Sequence, residues 1–152
     1  MANKLEEMNR YVRSGWDFVY LGEAKRSNVG IINSIFPDMI RLKLPKSLNR
    51  GGEMLDVESF YIDLMNALKQ KVEEGKRKFI LFDNFNQSSD MNRITEIMTE
   101  RTFDSIPISD NVVFGVYGSA EEFGYKDEVI GGKQFFARLV NQINQKNQMD
   151  RD

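Results

Sequence analysis

The sequence predicts an α/β domain, a three-layer sandwich in which a mostly parallel sheet of about four strands carries helices on both faces. Three observations lead there. The run Lys78-Phe79-Ile80-Leu81-Phe82-Asp83-Asn84 is apolar until it ends in an acid and an amide, the pattern of a strand buried on both faces inside a parallel sheet. A second such run, Asn111-Val112-Val113-Phe114-Gly115-Val116-Tyr117-Gly118-Ser119, lies further along. Around these runs, segments of helical periodicity alternate with strand-like ones, and crossovers of that kind make neighbouring strands parallel.

Leu5, Met8 and Val12 recur at helical spacing, so residues 1–15 form an amphipathic lead-in helix that ends near Ser14-Gly15. Trp16 to Leu21 is a first strand, followed by the polar loop Gly22-Glu23-Ala24-Lys25-Arg26-Ser27-Asn28. Ser27 or Asn28 caps a helix bearing Val29, Ile32, Ile35 and Phe36, and Pro37 stops it. Met39-Ile40-Arg41-Leu42-Lys43-Leu44 alternates apolar and basic side chains, as an edge strand exposed on one face does, and Pro45 terminates it.

Lys46 to Met54, with Arg50-Gly51-Gly52, reads as a flexible loop. Val57, Phe60, Tyr61, Leu64, Leu68 and Val72 mark a long amphipathic helix that Gly75 closes. The turn Lys76-Arg77-Lys78 reads as a solvated connection, with nucleic-acid contact as the alternative. After the central strand, Ser88-Ser89-Asp90 caps a helix bearing Met91, Ile94, Ile97 and Met98, and a connector with Pro107 leads to the second buried strand. Glu122 to Gly132 is a Gly-rich loop, and Phe136, Leu139, Val140 and Ile143 define a last helix. Residues 16–147 are thus one domain, with 148–152 as a disordered tail.

Composition narrows the chemistry. At 152 residues the chain is long enough to bury a core without disulfides or metals. It has no Cys and no His, which excludes thiolate nucleophiles, Cys-based zinc sites, His-based triads and the commonest general base near neutral pH. Carboxylates, Lys, Tyr, Ser/Thr and backbone groups are left for any catalysis. A formal net charge of −2 argues against a general electrostatic grip on nucleic acid, while a local basic patch stays open. The amino terminus lacks an apolar core of signal-peptide type and no segment is long enough to span a bilayer, so a cytoplasmic location and no membrane partner are expected.

Three strand ends converge on one edge of such a sheet: the loop after Leu21, Asp83-Asn84, and Tyr117-Gly118-Ser119. That is where α/β folds bind ligands. In nucleotide-hydrolysing arrangements an Asp at this place holds Mg²⁺ and a following Glu aims the attacking water, but the residue after Asp83 is Asn84.

In order and spacing these features resemble the core of an AAA+ ATPase, most closely the MoxR-like branch, over roughly Phe18 to Ser119. The resemblance rests on Phe82-Asp83-Asn84-Phe85-Asn86-Gln87, a helix ending at Glu100-Arg101, and Ile106-Pro107-Ile108-Ser109-Asp110-Asn111-Val112-Val113 before the last buried strand. It implies a P-loop NTPase-like fold, a phosphate loop at Gly22, Lys25, Arg26 and Ser27, Mg²⁺ on Asp83, and nucleotide sensing near Asn84 and Ser119. The departures are chemical. A phosphate loop of the form Gly-x-x-x-x-Gly-Lys-Ser/Thr wraps phosphate in bare backbone N–H groups, whereas Gly22-Glu23-Ala24-Lys25-Arg26-Ser27 keeps only the first Gly and inserts a carboxylate. Asn84 can orient water and cannot take its proton. The Asn of the family's sensor is missing at Tyr117-Gly118-Ser119, and its helical lid has no counterpart after Ile143.

The expectation is a catalytically degenerate AAA+-like domain, a pseudo-ATPase that acts as a protein-binding or regulatory module. Its partner is a protein, an active ATPase or a second copy of the chain, and no cofactor is required. A reduced but functional NTPase using ATP and Mg²⁺ is the first alternative, and a nucleic-acid-associated accessory protein the second. Arg41, Lys43, Lys46 and Arg50 are the candidate nucleic-acid or partner contacts, joined by Phe123 and Tyr125 as an exposed aromatic patch. Arg101 reads as a helix C-terminal charge meeting the dipole rather than an arginine finger.

Overall fold

The computed structural model describes residues 4–22, 30, 32–34, 36–43, 51–85, 90–119 and 128–131. Its elements, in chain order, are α1 (Lys4–Ser14), β1 (Phe18–Gly22), β2 (Ile40–Lys43), α2 (Gly51–Lys69), β3 (Lys78–Phe85), α3 (Asp90–Glu100), β4 (Thr102–Phe103), β5 (Ile106–Pro107), β6 (Val112–Ser119) and β7 (Glu128–Gly131). Gly30 and residues 32–34 are also helical. The main sheet has the order β2-β3-β6-β1-β7. β2, β3, β6 and β1 run parallel, and β7 adds an antiparallel edge on β1. The predicted α/β sandwich, with its largely parallel sheet and helices on both faces, is the architecture observed.

Strand alternation divides the interior into two cores. One face presents Val19, Leu21, Leu42, Ile80, Phe82, Val112, Phe114 and Val116 to α2 and α3, which answer with Phe60, Tyr61, Leu64, Ile94, Ile97 and Met98. The other presents Phe18, Tyr20, Phe79, Leu81 and Tyr117 to Met8 of α1 and to Ile32. The central strands β3 and β6 contribute to both, which is why their sequences show no polar alternation. β2, at the edge, buries Leu42 while Arg41 and Lys43 remain exposed, as its basic-apolar alternation predicts.

Helix ends follow local chemistry. α1 carries Glu6 and Glu7 in its first turn and Arg13 in its last, both favourable to the helix dipole. It closes in a Schellman arrangement: Gly15, at φ 75°, donates its N–H to the Val12 carbonyl, and the Trp16 N–H bonds the Tyr11 carbonyl at 2.9 Å. α2 departs from expectation at both ends. It begins at Gly51, inside the segment expected to be a loop, because the first helical residues are the least constrained by the i→i+4 ladder. It ends at Lys69 and leaves Val72 outside. Gly75 does adopt positive φ (84°), but it serves the turn in which the Lys76 N–H bonds the Glu73 carbonyl at 3.0 Å.

The connector with Pro107 is a two-residue hairpin, β4 to β5, turned by Asp104 and Ser105 at φ 49° and 66°. It buries Phe103 against Tyr61 and leaves Ile106 exposed. Strand β7 was also unexpected, since Glu128–Gly131 lies in the segment predicted as a Gly-rich loop. Here a glycine permits close approach: a Cβ on Gly131 would lie 2.2 Å from the Tyr11 ring of α1. Gly115 plays the same part in β6, where the Phe18 and Phe79 rings, 5.6 Å apart, meet above the bare backbone. The last helix and the tail expected after Gly132 fall outside the described residues.

Candidate functional site

The parallel strands point their carboxyl ends the same way, and this edge gathers the predicted residues that the structure describes. Gly22 ends β1 directly opposite Ser119 of β6. Asp83 lies near the end of β3 opposite Lys43 of β2. Asn84 follows within an irregularity of the β3–β6 pairing between Phe82 and Phe85. The side chains of Asn84 and Ser119 lie outside the described residues, as do Lys25, Arg26, Ser27, Lys46, Arg50, Phe123 and Tyr125.

Asp83 is the focus of this edge. Its side chain is 8 % exposed, and Arg41 reaches it from the neighbouring strand. Arg41 Nε donates to Asp83 Oδ2 at 2.8 Å, and Arg41 Nη2 donates to the same oxygen. Register explains the meeting. Arg41 stands opposite Leu81 and Lys43 opposite Asp83, so Arg41 and Asp83 share a face as a diagonal pair, within reach of a long side chain. Arg41, a candidate nucleic-acid or partner contact in the sequence, turns its guanidinium along the sheet to Asp83 and stays about half exposed. Lys43 is exposed beside it.

Aromatic rings line the β1–β6 side of the edge. Tyr20 and Tyr117 are directly paired across the strands and meet edge to face, with centroids 5.2 Å apart. The Tyr20 ring also covers the end of β1, for a Cβ on Gly22 would lie 2.5 Å from it. Among the described residues no group of three or more His, Cys, Asp and Glu side chains is placed to hold a metal ion, and no helix is long and apolar enough to cross a membrane.

The opposite, amino edge carries a second charged network that composition alone did not reveal. Asp17, just before β1, accepts the Phe114 N–H of β6 at 2.8 Å and lies 3.6 Å from Arg101 Nη1. Arg101 follows α3 at φ 57° and closes that helix through its N–H to the Ile97 carbonyl. Its Nη2 donates to the carbonyls of Ser109 at 2.8 Å and Val112 at 2.9 Å, and the guanidinium lies over the Phe114 ring. Arg101 therefore ties hairpin, β6 and β1 together at the end of the sheet opposite the predicted phosphate loop. Burial pushes the Asp17 carboxyl above its ordinary value, with the Phe114 bond and the Arg101 charge pulling the other way.

Lys78 completes this edge. It was expected to be solvated with Lys76 and Arg77, but it is buried, its Nζ donates to the Leu68 carbonyl at 3.0 Å, and burial lowers its pKa. Lys76 and Arg77 are exposed and line a cavity of about 500 Å³ with Pro37, Met39 and Val72.

Sheet order, parallel register and an acidic strand end at the carboxyl edge define an α/β domain generally similar in topology to the P-loop NTPases. No protein-family model, no curated protein and no solved structure matches the chain.

Proposed function

We propose that the chain is a catalytically degenerate AAA+-like domain that acts as a protein-binding or regulatory module. The observation that carries this reading is the Arg41–Asp83 ion pair. A hydrolytic site needs its strand-end carboxylate for Mg²⁺ and a carboxylate base beside it for water. Here the first is held by a guanidinium and the second position is an amide, Asn84. The altered phosphate-loop sequence points the same way, because Glu23 brings negative charge toward a place that would hold anionic phosphate. A frame kept intact while its chemical groups change together suits a scaffold selected for its surface. The proposed partner is another protein, an active ATPase or a second copy of the chain.

Melting curves with and without ATP and Mg²⁺, together with a turnover assay, test the reading. Nucleotide at a hundred times its dissociation constant would stabilise the fold by about 2.7 kcal/mol. The expected result is no shift and no phosphate release. A shift that disappears in Asp83→Ala and Lys25→Ala, accompanied by turnover, would instead establish the functional NTPase.

A further inference from the structure

We infer that Arg41 is the resident cation of the carboxyl edge, so that Asp83 does not take a divalent metal ion. The inference rests on the proposed reading only in treating Asp83 as the carboxylate of a nucleotide-type edge. Mg²⁺ requires near-octahedral oxygen ligands at about 2.0–2.1 Å and keeps several of its own waters. At Asp83 Oδ2 the charge is already committed. Oδ2 accepts two N–H groups of one guanidinium. A metal ion on that oxygen would have to displace both donors and would then share the carboxylate with a fixed positive charge. Lys43, opposite Asp83 on the same strand as Arg41, adds a second positive charge on that side.

An ammonium would leave such a site readily, but a guanidinium is planar, always charged and weakly hydrated, and it grips a carboxylate through directed bonds. The pairing is also built into the sheet. Arg41 is carried by β2 in register with β3, so the guanidinium arrives with the fold, at the effective concentration of a neighbouring side chain rather than that of an ion in solution. The site thereby compensates Asp83 internally, and metal affinity depends on removing Arg41.

Titration of Mn²⁺ into the purified 152-residue chain, with free ion followed by electron paramagnetic resonance, reads this directly. The wild-type protein is expected to bind no more Mn²⁺ than Asp83→Asn does. Arg41→Met is expected to bind Mn²⁺ severalfold more tightly at Asp83 than wild type does, and the Arg41→Met/Asp83→Asn double variant to lose that gain. Wild-type binding that vanishes in Asp83→Asn would overturn the inference, as would an Arg41→Met protein that is folded by circular dichroism and shows no such gain. The comparison of wild type with the isosteric Asp83→Asn stands alone should Arg41→Met fail to fold. Asp83-dependent Mn²⁺ binding without ATP turnover would overturn this inference and leave the proposed function standing. ATP turnover with no Asp83-dependent metal would do the reverse.

Discussion

The two edges of the sheet each place an arginine against an aspartate, and the two pairs differ in what else they hold. At the amino edge Arg101 bonds two backbone carbonyls and approaches Asp17, which in turn accepts a backbone N–H of β6. The contacts to Asp17 join parts of the chain far apart in sequence, and those from Arg101 to the two carbonyls are local, so together they fix the connector after α3 and Val112 and Phe114 of β6 against the residue just before β1. At the carboxyl edge the bonds described from the Arg41 guanidinium go to a single carboxylate oxygen, and Arg41 is about half exposed. One edge is architecture. The other resembles a ligand site in position and is closed by its own side chain.

Substitutions at the two arginines should separate these roles most strongly. Arg101→Met strips a donor from the Ser109 and Val112 carbonyls and leaves Asp17 without its cation, and we expect a loss of about 3 kcal/mol in urea denaturation. Gly115→Ala, midway between the edges, is next. Its new methyl would meet the Phe18 and Phe79 rings at 2.8 Å, and overpacking of this kind costs about 2 kcal/mol. Arg41→Met should cost less, about 1 kcal/mol, because half of that side chain is already in water. If Arg41→Met proved as damaging as Arg101→Met, the carboxyl edge would be structural too and the contrast would fail.

The smallest effect concerns pH. Because burial raises the Asp17 pKa above its ordinary 3.8, the native state keeps that proton to higher pH than the unfolded chain. Between the two values the native state binds more protons, so the Asp17 contribution to stability falls as pH rises through that window and is flat above it. Asp17→Asn retains an acceptor for the Phe114 N–H and cannot titrate. Melting curves of the two proteins from acid to neutral pH should therefore diverge in favour of Asp17→Asn just above pH 3.8 and then run parallel.

Much of this frame is legible in the sequence because it is written in periodicity. The apolar runs of β3 and β6, the alternation of β2 and the helical stripe of α3 each name their own environment. Glycine was less informative, since one residue type signals several needs. Gly51 and Gly52 begin a helix, Gly75 turns the chain after α2 has ended, and Gly131 makes room for a ring from α1. β7 was hidden for the same reason.

The acid at the strand end was visible as a candidate, whereas its partner was not. Arg41 and Lys43 look identical in an alternating strand, and only register with β3 decides that Arg41 is the one to reach Asp83. The Asp17–Arg101 pair, 84 residues apart in the chain, carries no local signal at all. Its one trace is a charged residue directly before a buried strand, Asp17 ahead of Phe18.

A double-mutant cycle on Arg41 and Asp83 tests most directly whether the carboxyl edge is closed from within. Unfolding free energies of wild type, Arg41→Met, Asp83→Asn and the double variant isolate the interaction between the two side chains. A coupling of about 1 kcal/mol or more, diminishing with added salt, is the predicted result. Additivity to within about 0.3 kcal/mol would mean that the pair contributes nothing to the folded state and that Asp83 is available to other ligands.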